Sequence, residues 1–504
     1  MIDCFIYLNS GPMVKKIFFK HEVHTFWLRT SQQFPPGPWP WPIVGNLLIL
    51  GKAPHIKLAD LAKQYGPLMY MRLGSVNVLV ASSPAMAKEF LKTQDHVFQY
   101  RPPLLLTELV GNNFGFGVIS GSTWQFIRRI CLNELFTMRR IQSFQPLRTK
   151  EIQETIKEIY MEAQEGKVMD VNAKLSSFST NHMTQLLFGK RYCGVGTIQK
   201  EAQWFKETHA AIMHWAGAFI VADYIPYLKW VSKLQGINAS LQRLNTAIAS
   251  LIPRIIDEHR SAQLSTNSSI HDMAKDFVDV LIATHGVDGI GYLSNAIIQD
   301  IIMVSSIAGT LEWVLAELLL HPNIMKCAQT ELDNLVGTNR LVEESDVQHL
   351  PYLQAILKET LRLHPVAPFL VPHHSIEPCQ VQGYTIPAKT RVIVNVWALG
   401  RDPNSWENPL EFDPDRFMQH PEIDVQGRDF NLLPFGSGRR GCPGRPLGML
   451  VLQIMLARLL QSFDWSLPNN QHDIDMSDIF GLDLKKAEAL CAMAHPRLPS
   501  HLYH

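Results

Sequence analysis

Cys442 stands in PFGSGRRGCPGRP, residues 434–446, where Gly436, Gly438, Gly441 and Gly444 clear side chains from its surroundings and Arg439, Arg440 and Arg445 bring positive charge. Glycines let backbone N–H groups approach a sulfur closely and leave one of its faces open. Pro443 reads as the first residue of a helix, which would aim unpaired N–H groups and a positive dipole end at the sulfur. Both features favour a thiolate. Such a sulfur can bind a large group through its open face or attack a substrate as a nucleophile paired with histidine. The plainest alternative is a small buried apolar side chain in a glycine-rich loop.

Other residues stand at spacings that carry chemistry. Glu359 and Arg362 in LKETLRLH form an i, i+3 pair, which alone is an ordinary solvated ion pair worth little. Seven cysteines, odd in number, scattered and never arranged as CxxC, exclude a disulfide framework and a zinc ribbon. They fit a reducing compartment, where a cysteine with a special role acts alone. Lys and Arg number 46 and so do Asp and Glu, which leaves no electrostatic footprint for nucleic acid.

The elements that must position these groups are mostly helical. Apolar residues are 46% of the 504 and charged residues 18%, enough to bury a large core. Residues 1–33 read as a leader whose apolar runs are too broken for a membrane helix, although IYLNSGPMVKKIFF could lie on a membrane surface. No linker divides residues 34–504, so one domain is expected there. Its five prolines make FPPGPWPWPIVGNL an extended strap. LMYMRLGSVNVLVAS predicts a hairpin around Gly74. Helical spacing marks SPAMAKEFLKT, STWQFIRRICLNEL and the single long run IQSFQPLRTKEIQETIKEIYMEAQEG, with Ser83 and Ser122 at N-cap positions. Helices are also expected from Ser294 to His321, from Leu350 to His364 and after Cys442, and IPAKTRVIVNVWALG reads as a strand pair.

The order Phe435, Gly438, Arg440, Cys442, Gly444, or FxxGxRxCxG, resembles the cysteine loop of the cytochrome P-450 family. Lys358–Arg362, Phe412–Phe417 and the Trp124/Arg128 helix stand in the family's sequence, and FGSGRRGCPG, IPAKT and NVWALGRDP resemble its plant microsomal branch. The resemblance implies a mainly α fold with a small β portion, haem b lying between a distal central helix and the cysteine-loop helix, and Cys442 as the axial iron ligand. It further implies that Phe435, Gly436 and Gly444 border the haem, that Trp124, Arg128, Arg440 and His373 meet its propionates, and that Arg416 in FDPDRF joins Glu359 and Arg362 in a structural triad around a bidentate carboxylate. The implied activity is monooxygenation of a small hydrophobic plant secondary metabolite with dioxygen. Electrons would come from an NADPH-dependent cytochrome reductase docked on a basic face carrying Arg129, Arg139, Arg140, Arg439 and Arg445. The implied location is the cytoplasmic face of the endoplasmic reticulum membrane.

One departure concerns the proton relay. The family's acid-alcohol pair on the central helix is replaced in QDIIMVSSIAGTLEW by Ser305 and Ser306, when the helix is anchored on the downstream TLEW. A second register takes Ala308-Gly309-Thr310, with Glu312 as a displaced acid. Loss of the acid keeps open a haem-thiolate isomerase or dehydratase, or a catalytically impaired haem protein. A bland role for both serines is bonding back to the preceding helical turn. By resemblance the substrate pocket takes in Phe114, Phe116, Ile212, Trp215, Phe219, Val366, Phe369, Ile479 and Phe480.

Overall fold

The computed structural model describes residues 34–110, 117–194, 199–265, 276–279, 293–468 and 473–504; the leader reading, Phe114 and Phe116 lie outside them. The expected hairpin is present as β1 (Leu68–Leu73) and β2 (Val76–Ala81), antiparallel with Leu68 opposite Ala81. Gly74, at φ 61°, sits in the turn, where a Cβ would come within 2.4 Å of the Tyr224 carbonyl oxygen. Two later strands, β3 (His373–His374) and β4 (Arg391–Val394), complete a sheet of order β1-β2-β4-β3, in which β2 and β4 run parallel. The strand pair expected in IPAKTRVIVNVWALG does not form. Tyr384–Ile386 pairs backwards with Cys379–Val381, β4 joins β2, and Val396–Leu399 is a helical turn capped by the Asn395 side chain.

The strap lies on β1: Tyr70 N–H donates to the Pro36 carbonyl, and Phe34 stacks on Tyr70 at 4.5 Å. Gly37 permits the contact, since a Cβ there would fall 1.8 Å from the Tyr70 oxygen.

Six helices position the cysteine loop: α1 (Ser122–Ile130), α2 (Gln145–Gln164), α3 (Val171–Phe188), α4 (Leu293–Leu320), α5 (Pro351–Leu363) and α6 (Arg445–Ser462). Ile156 of α2, Phe178 of α3, Leu315 of α4, Ile356 of α5 and Val451 of α6 share one buried core. Each such side chain contributes about 1.5–3 kcal/mol over its exposed state. α6 carries apolar residues around its whole circumference because it is enclosed on all sides.

Several expected boundaries move. Ser83 does cap its helix, accepting from Met86 N–H, but Gly121 holds the cap position of α1 and Ser122 lies inside it. The single run expected through residues 141–166 breaks at Phe144 into Met138–Ser143 and α2. Among the described residues, no helix is long and apolar enough to cross a membrane.

Candidate active site

The cysteine loop is shaped by its glycines. Gly436 and Gly438 adopt φ of 67° and 66°, and a Cβ on Gly438 would lie 2.0 Å from the Leu91 carbonyl oxygen, so a side chain there is barred twice over. Cys442 N–H donates to the Phe435 carbonyl at 2.9 Å and closes the loop. Helix α6 begins at Arg445, with Gly444 before it, two residues later than the placement of Pro443 as its first residue; Pro446 is the proline of its first turn. The later start still serves the sulfur, because N–H groups of Gly444 and Arg445 donate to it. Burial is the larger influence and pushes the Cys442 thiol up, while these N–H groups and the guanidiniums of Arg128 and Arg445 favour the thiolate.

A cavity of 220 Å³ opens at the sulfur, walled on one side by Phe435, Gly436, Cys442 and Gly444 and on the other by Ser306, Ile307 and Thr310 of α4. Trp124, Arg128, Arg440 and His373 all line it, as does Arg101. Arg128 donates to the Gly441 carbonyl at 2.9 Å, and Arg440 donates to the Gln99 carbonyl at 2.5 Å and to Ser120 Oγ at 3.1 Å. The Arg440 guanidinium lies 3.8 Å from the centre of the Trp124 ring, a cation–π contact that fixes both side chains. Arg101 donates to the carbonyls of Gly117, Val371 and Pro372.

These three guanidiniums enter no ion pair among the described residues. Burial pushes Arg440 down to about 9, with Arg128 adding repulsion, and lowers Arg101, with Arg440 adding repulsion. Nη1 of Arg440 is buried without a hydrogen-bond partner. His373 is held well below its ordinary value by burial and by Arg101, so its imidazole is neutral and Nδ1–H donates to the Phe98 carbonyl at 2.8 Å. A cluster of half-buried, mutually repelling cations with a spare donor suits a dianion. A sulfur at one end of the cavity and this cluster in its wall fit a flat metal-bearing ring with two carboxylates.

On α4, Thr310 Oγ1 donates to the Ser306 carbonyl at 2.7 Å, a back-bond to the previous turn. Glu312 is absent from the cavity wall: its carboxylate accepts from Asn172 Nδ2 and from Leu490 N–H. The second register therefore has no acid to offer. The side chains of Ser305 and Asp300 lie outside the described residues.

Val366 lines the cysteine cavity, whereas Trp215, Phe219, Phe369 and Phe480 line a larger one of 750 Å³. The larger cavity does not include Cys442; the two share Arg101, Leu370 and Val371. Ile212 belongs to a buried helical core and Ile479 is 57% exposed, and neither lines either of these two cavities. Arg101 escaped the sequence reading. Its signal was a lone arginine before Pro102-Pro103 in an apolar stretch, and its carbonyl partners at 371 and 372 are 270 residues away or more.

Beneath the loop, Glu359 accepts two bonds of 2.6 Å from Arg362 and one of 3.0 Å from Arg416, with all three side chains buried. Asp413 N–H donates to the same carboxylate, and Arg362 also donates to the carbonyls of Gly400, Pro409 and Glu411. The triad expected from sequence is thus assembled, with its remaining donors satisfied by backbone.

The cytochrome P450 family model matches residues 35–490. Cytochrome P450 703A2 of Arabidopsis thaliana is 39% identical over 95% of this chain and 96% of its own. A flavonoid 3'-monooxygenase of Crocosmia x crocosmiiflora is also 39% identical, over 95% of this chain and 96% of its own. A flavonoid 3',5'-hydroxylase of Eustoma exaltatum subsp. russellianum is 38% identical over 95% of each chain.

Proposed function

Because the chain belongs to the cytochrome P450 family, we propose that Cys442 is the thiolate ligand of its haem b and that its substrate is a planar phenolic molecule of the flavonoid kind. The protein is a haem-thiolate monooxygenase of plant secondary metabolism. The observation that carries the site assignment is the meeting of Cys442 with the acid-free group Arg101, Arg128 and Arg440 in one cavity.

Haem bound there supplies the redox chemistry that activates dioxygen, with thiolate donation favouring O–O cleavage. The protein's residues do the rest. Gly444 and Arg445 N–H groups steady the sulfur, the three guanidiniums and Trp124 would hold the propionates, and Gly436, which lines the cavity without a side chain, would leave room for the ring. Ser306, in the opposite wall, positions a hydroxyl to pass protons into the cavity. Phe369, Phe480 and Trp215 give the larger cavity aromatic surfaces suited to a flat ring system, which supports the substrate class together with the named activities of the relatives. Electrons come from an NADPH-dependent flavoprotein reductase; on the expected docking face Arg129 and Arg139 are exposed, while Arg439 is paired with Asp95 at 3.1 Å.

The test is turnover of a flavanone and flavone panel with purified reductase, NADPH and isotopically labelled dioxygen. One labelled oxygen atom per product is expected; product that forms without NADPH, or that carries oxygen from water, overturns the reading. In the same assay Ser306→Ala is expected to divert electrons to hydrogen peroxide, lowering product per NADPH by up to about a hundredfold, the lower end of what a positioned acid–base group contributes. Unchanged coupling would remove Ser306 from the relay.

Location at a membrane is supported by exposed apolar residues around the mouth of the larger cavity. Ile43, Leu48 and Phe219 line that cavity and are themselves exposed, with Trp39, Trp41, Tyr227, Trp230 and Leu234 exposed on the same two segments. Aromatic and aliphatic side chains of this kind insert at the headgroup level. Trp41→Ser with Trp230→Ser is expected to reduce flotation with phospholipid vesicles while leaving the haem spectrum unchanged; equal flotation would count against this surface.

A further inference from the structure

A third concavity, of 770 Å³, shares no wall residue with the other two. It lies where α2 passes the stretch 339–343 and the later turns of α6; α2 contributes Gln145, Thr149 and Lys150, and α6 contributes Arg458. Arg458 is 5% exposed, and its Nε and Nη1 are buried with no hydrogen-bond partner. It enters no ion pair among the described residues, although Glu154 and Glu343 also border the concavity. Burial pushes it down to about 10, with Glu343 and Asp346 drawing it back up.

Buried charges left unpaired are costly, and native structures almost always satisfy them. The nearby acids do not serve. Asp346 is engaged by Arg340 through bonds of 2.6 and 2.9 Å, and Glu343 stays beyond ion-pair distance of Arg458. Lys150, exposed on the rim, enters no ion pair among the described residues. A guanidinium at the base of a hollow, an ammonium above it and amide and hydroxyl donors between them form an arrangement that receives tetrahedral oxyanions. The uncapped start of α2, where Gln145 and Pro146 line the same wall, adds a positive dipole end.

We propose that this concavity is a binding site for the phosphoryl group of a small soluble anion, with Arg458 as its principal contact and Lys150 as the second. The site lies on the same helix that begins beside Cys442, and nothing in the oxygenation reaction uses it.

The test is calorimetric titration of the haem-loaded protein with inorganic phosphate, in chloride-matched buffer of constant ionic strength. Saturable binding is expected, weakened at least about tenfold by Arg458→Met and by about threefold by Lys150→Gln, both with unchanged haem content. Arg458→Met is also expected to melt higher than the phosphate-free wild type, since it removes an unpaired buried charge. Absence of saturable binding, or equal affinity in Arg458→Met, overturns the proposal. Should that variant not fold, unchanged affinity in Lys150→Gln overturns it equally.

Discussion

Cys442→Ala, purified and reduced under carbon monoxide, is expected to lack the red-shifted Soret band of a thiolate-bound haem and to give no detectable product. The expectation separates the three readings that the residue invites. As a small buried apolar group, cysteine would be replaced by alanine at little cost and the pigment would keep its spectrum. As a nucleophile it would lose activity while the spectrum stayed. Only an iron ligand loses both. The geometry favours the last, because Cys442 faces a cavity whose wall carries three arginines without a carboxylate, and the Phe435 carbonyl, Gly444 and Arg445 fix the loop that presents it. Retention of the wild-type spectrum in Cys442→Ala would remove the basis of the site assignment. Since haem binds only the folded protein, its loss also withdraws about 4 kcal/mol of stabilisation for every thousandfold excess over the dissociation constant.

Glu359→Ala is the second large effect. It leaves Arg362 and Arg416 buried and, among the described residues, paired with no acid except Asp413, 3.9 Å from Arg416. Breaking a buried pair from one side costs about 3–5 kcal/mol, because the surviving charge keeps its desolvation penalty. The carboxylate also accepts the Asp413 N–H, so that donor is orphaned too. The expected outcome is a fall in denaturant midpoint corresponding to that loss, with haem content falling in parallel because the network underlies the segments leading to the cysteine loop. A loss below about 1 kcal/mol would mean that water replaces the carboxylate and that the network is no more than a surface pair.

Much of the site was legible because it is local. The glycine positions around Cys442, the i, i+3 spacing of Glu359 and Arg362, and the Trp124 to Arg128 spacing are short patterns, and the side chains that follow from them do meet. What escaped depended on distance or on backbone competition. Arg101 acquires its role from carbonyls on a distant segment, which no window of sequence contains. Pro443 looked like a helix start, yet the chain has another proline at 446, and the helix used that one. IPAKTRVIVNV had the β-branched residues of strands but not their partners: β2 offered β4 a parallel edge, and Cys379–Val381 took the other strand. Ile212 and Ile479 show the limit of assigning a pocket by segment, since a helix face or a strand edge decides where each side chain goes.

The stretch from Gly400 to Glu411 has little regular secondary structure, so its carbonyls have few ladder partners. A single guanidinium, that of Arg362, gathers three of them. Main-chain oxygen is common to every amino acid, so the hold on Pro409 and Glu411 asks nothing of their side chains, whereas Gly400 admits no other residue, a Cβ there falling 2.2 Å from the Arg362 carbonyl oxygen.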